Sequence, residues 1–211
     1  MSVYRVWMTL ALAVLGSGCA FTDATLPVDY DEAHASRGPI STLKENGFKV
    51  EAFADDRQDK IRIGFKRNGY GQKTADIFTQ DPVEKIVSDA VTEALEHNRQ
   101  TVGPEGSILV KGDVKRFWFE VDPNFFTVKF MGTVTCDISF TDKLSNELIY
   151  QKEYVGNYEK ETGGGLEATW TEVMSLSLEN MIDSMIKDPR LVAALKANAT
   201  KATATSSAGE Y

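Results

Sequence analysis

Phe126, Val128, Phe130, Val134, Cys136, Ile138 and Phe140 fall at even spacing along one stretch of the chain. No helix keeps such a row on one side, whereas an extended chain sends alternate side chains to opposite faces, so a long strand with one buried face is required. Gly132 breaks the row as a bend or bulge would. Before it, Ile108 to Val121 alternates Ile108, Val110, Gly112, Val114 and Arg116 with charged neighbours and ends at the turn Asp122-Pro123-Asn124. After it, Asp142 to Asn146 turns the chain into a strand from Leu148 to Tyr158. Three strands joined this closely predict an antiparallel meander.

Two further strands are read at Phe48 to Ala54 and Lys60 to Lys66, the second with Ile61, Ile63 and Phe65 alternating with Lys60, Arg62 and Lys66. Asp81-Pro82-Val83-Glu84 has the chemistry of a helix start, an acidic cap and a proline at the first helical position. Val83, Ile86, Val87, Ala90, Val91, Ala94 and Leu95 then repeat at helical spacing. A second helix follows the capping box Thr169-Trp170-Thr171-Glu172, with a stripe of Trp170, Val173, Met174, Ser177, Leu178, Met181, Ile182, Met185 and Ile186 read as core packing. Asp188-Pro189 ends it and starts a short last helix through Leu195. The fold class expected is α+β: a two-layer sandwich with an about five-stranded, mostly antiparallel sheet and two main helices on one face.

The chain is long enough, at 211 residues, for one domain with extensions. Its 42% hydrophobic and 26% charged residues are those of a soluble body. Lys+Arg 23 against Asp+Glu 31 gives a formal charge of −8, which excludes broad nucleic-acid binding, since phosphate neutralisation needs a basic footprint. At the amino terminus, Arg5 precedes an apolar run from Val6 to Leu15, far short of the ~20 residues of a permanent membrane helix and suited to a signal peptide. The run closes on Leu15-Gly16-Ser17-Gly18-Cys19, which resembles the lipobox of bacterial lipoproteins, although Gly16 stands where that motif usually has leucine. The resemblance implies cleavage before Cys19 and acylation of that cysteine, and multiple acyl chains hold a protein on a membrane permanently. Ala20, rather than an aspartate, follows Cys19 and favours delivery to the outer membrane. The organisation expected is a lipoprotein signal at 1–18, a lipidated start and flexible tether at 19–46, a periplasmic domain at 47–195 and a disordered tail at 196–211.

Chemistry is sparse. His34 and His97 are not at metal-ligand spacing, no nucleophile elbow, zinc-protease motif or phosphate loop is present, and Gly163-Gly164-Gly165 reads as a hinge. Asp55 and Asp56 adjoin Arg57, and adjacent side chains of an extended chain point opposite ways, so one acid is expected to pair with Arg57 or cap the turn. With Cys19 lipidated, Cys136 has no disulfide partner and reads as a buried core residue. No catalytic residue, metal or cofactor is expected.

Ala54-Asp55-Asp56-Arg57-Gln58-Asp59, the Asp81-to-Leu95 helix, Val102-Gly103-Pro104 and Tyr154-Val155-Gly156 together resemble the YajG-like family of bacterial lipoproteins, over most of residues 47–195. That resemblance implies a small envelope lipoprotein without known catalysis. The function expected is a non-enzymatic outer-membrane lipoprotein, facing the periplasm, that binds another envelope component, as in an accessory subunit of a transport or secretion assembly. The alternative is a carrier or enzyme acting on lipid or cell-wall material. Between residues 57 and 73, Arg57, Lys60, Arg62, Lys66, Arg67 and Lys73 stand against one acid, Asp59. Alternation would aim Lys60, Arg62 and Lys66 at one surface, with Arg67 beside them, either to guard a sheet edge or to meet an anionic partner, lipid headgroups or an acidic protein surface.

Overall fold

The computed structural model describes residues 21–43, 47–124 and 126–208, with side chains except at 34 and 202–208. The meander is there. Strands β7 (Ile108–Pro123), β8 (Val128–Asp142) and β9 (Leu148–Thr162) pair antiparallel along nearly their whole lengths. The alternation that predicted them is visible in burial: Val110, Val114, Phe119, Val134, Cys136, Ile138 and Tyr154 are buried on one face.

The rest of the sheet corrects the five-stranded, mostly antiparallel expectation. Nine strands form one mixed sheet, because the free edge of β7 is shared by three short strands in succession. β2 (Gly47–Val50), β3 (Ala54–Asp55) and β4 (Gly64–Arg67) all run parallel to β7. β6 (Thr101–Val102) lies outside β2, while β5 (Lys73–Thr79) and then β1 (Ala24–Leu26) lie outside β4. Two to four residues are too few to display a period of two, and the mixed pairing was invisible for that reason. The strand expected at 60–66 is only its last part, β4. Ile61 is 74% exposed while Ile63 is buried.

Residues 24–43, read as tether, are folded. Ala24, Leu26, Val28 and Tyr30 are buried at every second position, and Pro27 had masked that alternation. Gly38 N donates to Asn98 Oδ1 at 2.9 Å, and Gln100 Nε2 to Ile40 O at 3.2 Å, fastening the segment to the end of the first helix.

Three α-helices are described, not two with a short third: α1 (Val83–His97), α2 (Glu167–Ile186) and α3 (Pro189–Ala208). α1 and α2 pack on each other and on the buried face of the sheet. Neither expected cap forms. Pro82 itself occupies the cap of α1, and α2 starts two residues before Thr169, capped by Leu166 without a side-chain hydrogen bond. Glu172 instead pairs with Lys160 of β9 at 2.7 Å. The stripe of α2 is core as expected, with Trp170 half-buried. α3 continues past Leu195 where a disordered tail was expected, its alanines, strong helix formers, recurring among Thr, Ser and Asn. Asn198 donates to Asp142 Oδ2 at 3.0 Å.

Gly132 makes no bulge. It pairs regularly with Phe119 and Tyr158, and the irregularities of the meander lie in β7 between Val114 and Arg116 and in the β8–β9 ladder between Phe140 and Thr141. A Cβ at Gly132 would lie 2.3 Å from Ser177 Oγ, and one at Gly156 would lie 2.1 Å from Ser177 O and 2.3 Å from Met181 N. These glycines let α2 sit directly on the backbone of β8 and β9.

Candidate functional site

Asp55 and Arg57 come from the Ala-Asp-Asp-Arg-Gln-Asp run, and their partnership is structural. Arg57, 6% exposed, donates from Nε to Asp55 Oδ1 and from Nη2 to Asp55 Oδ2, both at 2.9 Å. Its remaining donors reach Arg62 O at 3.1 Å, Lys60 O at 3.3 Å and Phe117 O at 3.5 Å. Burial alone would favour a neutral Asp55, but the Arg57 hydrogen bonds outweigh it and hold the carboxyl below its ordinary range. The side chain thus pins the irregular segment 57–63 onto β7. Asp56 points away and pairs with Lys115.

A second polar cluster had no sequence signal beyond its helix-breaking role. Asp188, 4% exposed, accepts from Tyr150 Oη at 3.0 Å, Lys152 Nζ at 2.8 Å and Tyr154 Oη at 3.2 Å, and from Arg190 N at 2.9 Å. Burial opposes its charge, yet the Lys152, Arg190 and Tyr150 hydrogen bonds prevail and bring it to about 2. Burial, with Asp188 beside it, raises the Tyr154 phenol. Groups driven this far from neutrality do not exchange protons at physiological pH, so the cluster ties β9 to the α2–α3 junction.

The basic residues of 57–73 do not share one surface. Gly64 brings β4 so close to β7 that a Cβ there would lie 2.4 Å from Phe119 O. From that point Phe65 faces the side of the sheet the helices leave open, edge-on to Trp118 at 5.6 Å, and Lys66 faces the helices. Lys60 and Arg62 line an open cleft of about 890 Å³ with Arg57, Lys73, Lys115 and Arg116, over Phe65 and Trp118. Asp59 is its one acidic lining residue. Lys73 Nζ lies 3.6 Å from the Phe65 ring centroid, and Arg62 pairs with Asp76 at 3.0 Å. Lys60, Lys73 and Arg116 have no carboxylate at salt-bridge distance among the described residues.

Lys66 and Arg67 line a different cleft, of about 670 Å³, at the amino-terminal end of α2. Its walls are Val121, Val128, Phe130, Leu166 and Trp170, with Gly164, Gly165 and Thr74 at the rim. Lys66 is 7% exposed, with Nζ 5.3 Å from the Trp170 ring centroid and 3.4 Å from Glu167 Oε1. Arg67 donates to Gly71 O at 2.8 Å. Cys19 lies outside the described residues. Cys136 is a free, fully buried thiol, and burial raises its pKa. His97 is the last residue of α1.

Among the described residues no group of three His, Cys, Asp or Glu side chains is placed to hold a metal ion, and no helix is long and apolar enough to cross a membrane. The model of a family described as uncharacterized lipoprotein matches residues 41–196. Among solved structures, the chain is similar to protein XCC0632 from Xanthomonas campestris, with a TM-score of 0.58 and 11% identity over 83% of this chain and 99% of that one. That likeness is one of fold. A minor lipoprotein from Acinetobacter baumannii matches at a TM-score of 0.40 and 8% identity, over 73% of this chain and 96% of that one. No curated protein matches the chain.

Proposed function

The chain belongs to the YajG-like family of uncharacterized lipoproteins, and from that premise we propose that it acts without catalysis, held by an acylated Cys19 on the periplasmic side of the outer membrane, and docks an acidic envelope protein. The supporting observation is the cleft over Phe65 and Trp118. In a chain of formal charge −8 it gathers six cations around two aromatic rings, three of them without a carboxylate partner among the described residues. Aromatic and arginine side chains in a concave surface are the groups that carry protein–protein affinity, and cations of one sign steer an oppositely charged partner. An accessory role in a transport or secretion assembly fits such a surface. The test is photo-crosslinking in intact cells from a reactive residue at Trp118. The crosslinked envelope protein should disappear when Lys60, Lys73 and Arg116 are changed to Gln, and the complex should weaken with salt. Undiminished crosslinking in that variant would sink the reading.

A second reading, a carrier of lipid or cell-wall material, is favoured by the apolar cleft beside Trp170. Lipid that copurifies with the wild type and is lost on Trp170→Ala, at unchanged thermal stability, would select it.

A further inference from the structure

Eight large apolar side chains are exposed among the described residues, and four of them lie toward one end of the sheet: Phe21 at 69%, Tyr70 at 92%, Phe126 at 86% and Leu166 at 81%. The strand pairing brings them there. Pro123 of β7 pairs with Val128 and Val128 with Thr162 of β9, so the β7–β8 turn holding Phe126 adjoins the segment 163–166 holding Leu166. β4 runs parallel to β7, which carries the β4–β5 turn with Tyr70 to the same end, where Tyr70 and Pro123 line one depression. β1 runs parallel to β5, so the chain before Ala24 lies toward the Tyr70 end of β5. Asp23 Oδ1 still accepts from Asp76 N at 2.9 Å. The opposite end carries Leu144 and Leu148, in and just after the β8–β9 turn.

We propose that this end, with Phe21, Tyr70, Phe126 and Leu166 at its tips, is a membrane-docking face that seats the domain on the bilayer carrying its anchor. The inference rests on the acylated Cys19 of the proposed function. Cys19 precedes Phe21 by two residues, a reach of at most about 7 Å. Acyl chains on it therefore enter the bilayer beside these tips and not beside Leu144. Four apolar tips on separate turns do not make a groove for a peptide, but they can each enter the interfacial layer, where aromatic rings are at home. Glu120, Asp122 and Glu161 stand near Arg67 and Lys129 at this end, so the attraction is apolar and differs from the salt-sensitive contact assigned to the Trp118 cleft. The apolar cleft beside Trp170 draws Val128, Gly164, Gly165 and Leu166 from the same end.

The test uses the full acylated chain, purified in detergent and reconstituted without other proteins into vesicles of phosphatidylethanolamine and phosphatidylglycerol. Cys136→Ala removes the buried thiol, and a nitroxide is placed in turn at Tyr70→Cys, Phe126→Cys, Leu166→Cys and Leu144→Cys. Labels at 70, 126 and 166 should be several-fold less accessible to an aqueous nickel chelate than the label at 144, at low and high salt alike. Equal accessibility at all four positions on an acylated chain overturns the docking face and leaves the anchor standing. Protection that appears only in native membranes, and not in these vesicles, assigns the face to a protein and overturns it too. An intact mass without acyl groups on the mature wild-type chain overturns the anchor and the docking face together.

Discussion

On the β8–β9 side of β7 a helix packs directly on the strand backbone, whereas on the other side the short strands, although Gly64 also lies directly against Phe119 O, are held in place by side chains that fill the gaps between them. α2 lies on Gly132 and Gly156 with no Cβ between helix and sheet. Beyond β7, the equivalent work is done by Arg57 spanning from Asp55 to the carbonyls of 60, 62 and 117, and by the Phe53 ring lying where a Cβ of Gly112 would be. Long ladders tolerate little change but expose few special groups. Short strands leave turns and irregular segments free to carry surface chemistry, and both clefts draw residues from 57–74.

The sharpest way to break this contrast is to put a methyl group where the backbone is the surface. Gly156→Ala should destabilise the domain by about 3 kcal/mol or more, because the new Cβ meets Ser177 O and Met181 N, which belong to the helix backbone and cannot rotate away. Gly132→Ala should cost less, about 2 kcal/mol, since its nearest obstacle is the Ser177 hydroxyl, a side chain, and the helix backbone at Val173 O stands farther off at 2.9 Å. Gly69→Ala, with nothing within 4 Å, should leave stability within about 0.5 kcal/mol. Urea unfolding of the three variants checks the ranking, and a Gly156→Ala protein as stable as Gly69→Ala would end the claim of direct helix-on-backbone packing.

On the other side the decisive change removes a side chain. Arg57→Met should cost about 3 kcal/mol by stranding the Asp55 carboxylate, which is only 14% exposed. Asp55→Asn with Arg57→Met should recover part of that loss, since the uncompensated charge is gone. Additive costs in the double-mutant cycle would mean the two residues act independently and the short strands are held by something else.

How far the sequence led differs between the two sides for the same reason. Fifteen or sixteen residues of alternation announce β7, β8 and β9, and eight apolar positions with Ser177 at helical spacing announce α2. In β4 the alternation misled: Ile61, Ile63 and Phe65 read as one buried face, but the strand begins only at Gly64, leaving Ile61 in solvent and turning Lys66 inward. β1 was hidden by Pro27 and β6 by its length of two residues. The Asp55–Arg57 pair was legible because its members are close in sequence, whereas the Trp118 cleft joins residues about sixty positions apart and the Asp188 cluster spans 150 to 190. Contacts of that separation leave no local pattern.

The Asp188 cluster stiffens the meander side in a pH-dependent way. The folded value of about 2 lies below the ordinary 3.8, so the stabilisation is complete above the unfolded value and drains away as pH falls toward 2. That difference corresponds to about 2 kcal/mol. Asp188→Asn should therefore lose about 2 kcal/mol at pH 7 and converge on the wild type near pH 2. A gap between the two proteins that stayed constant across that range would assign the stabilisation to shape instead of charge.

The smallest effect among the buried positions is expected deepest in the ladder. Cys136 pairs with Val114 on one side and Tyr154 on the other and is fully buried. Removing its sulfur takes away one heavy atom from an apolar layer and only a long, weak hydrogen bond from Sγ to Asp137 O at 3.9 Å, so Cys136→Ala should cost about 1 kcal/mol, less than either charge-cluster change. Burial also keeps the thiol protonated, since its pKa is raised, so the native chain should resist alkylating reagents until it unfolds and should form no disulfide. Alkylation kinetics alongside urea unfolding test both points. If the native thiol reacted as readily as the unfolded one, β8 would be opening in the native state, and the contrast between a rigid ladder and a side-chain-plugged half would have to be reversed.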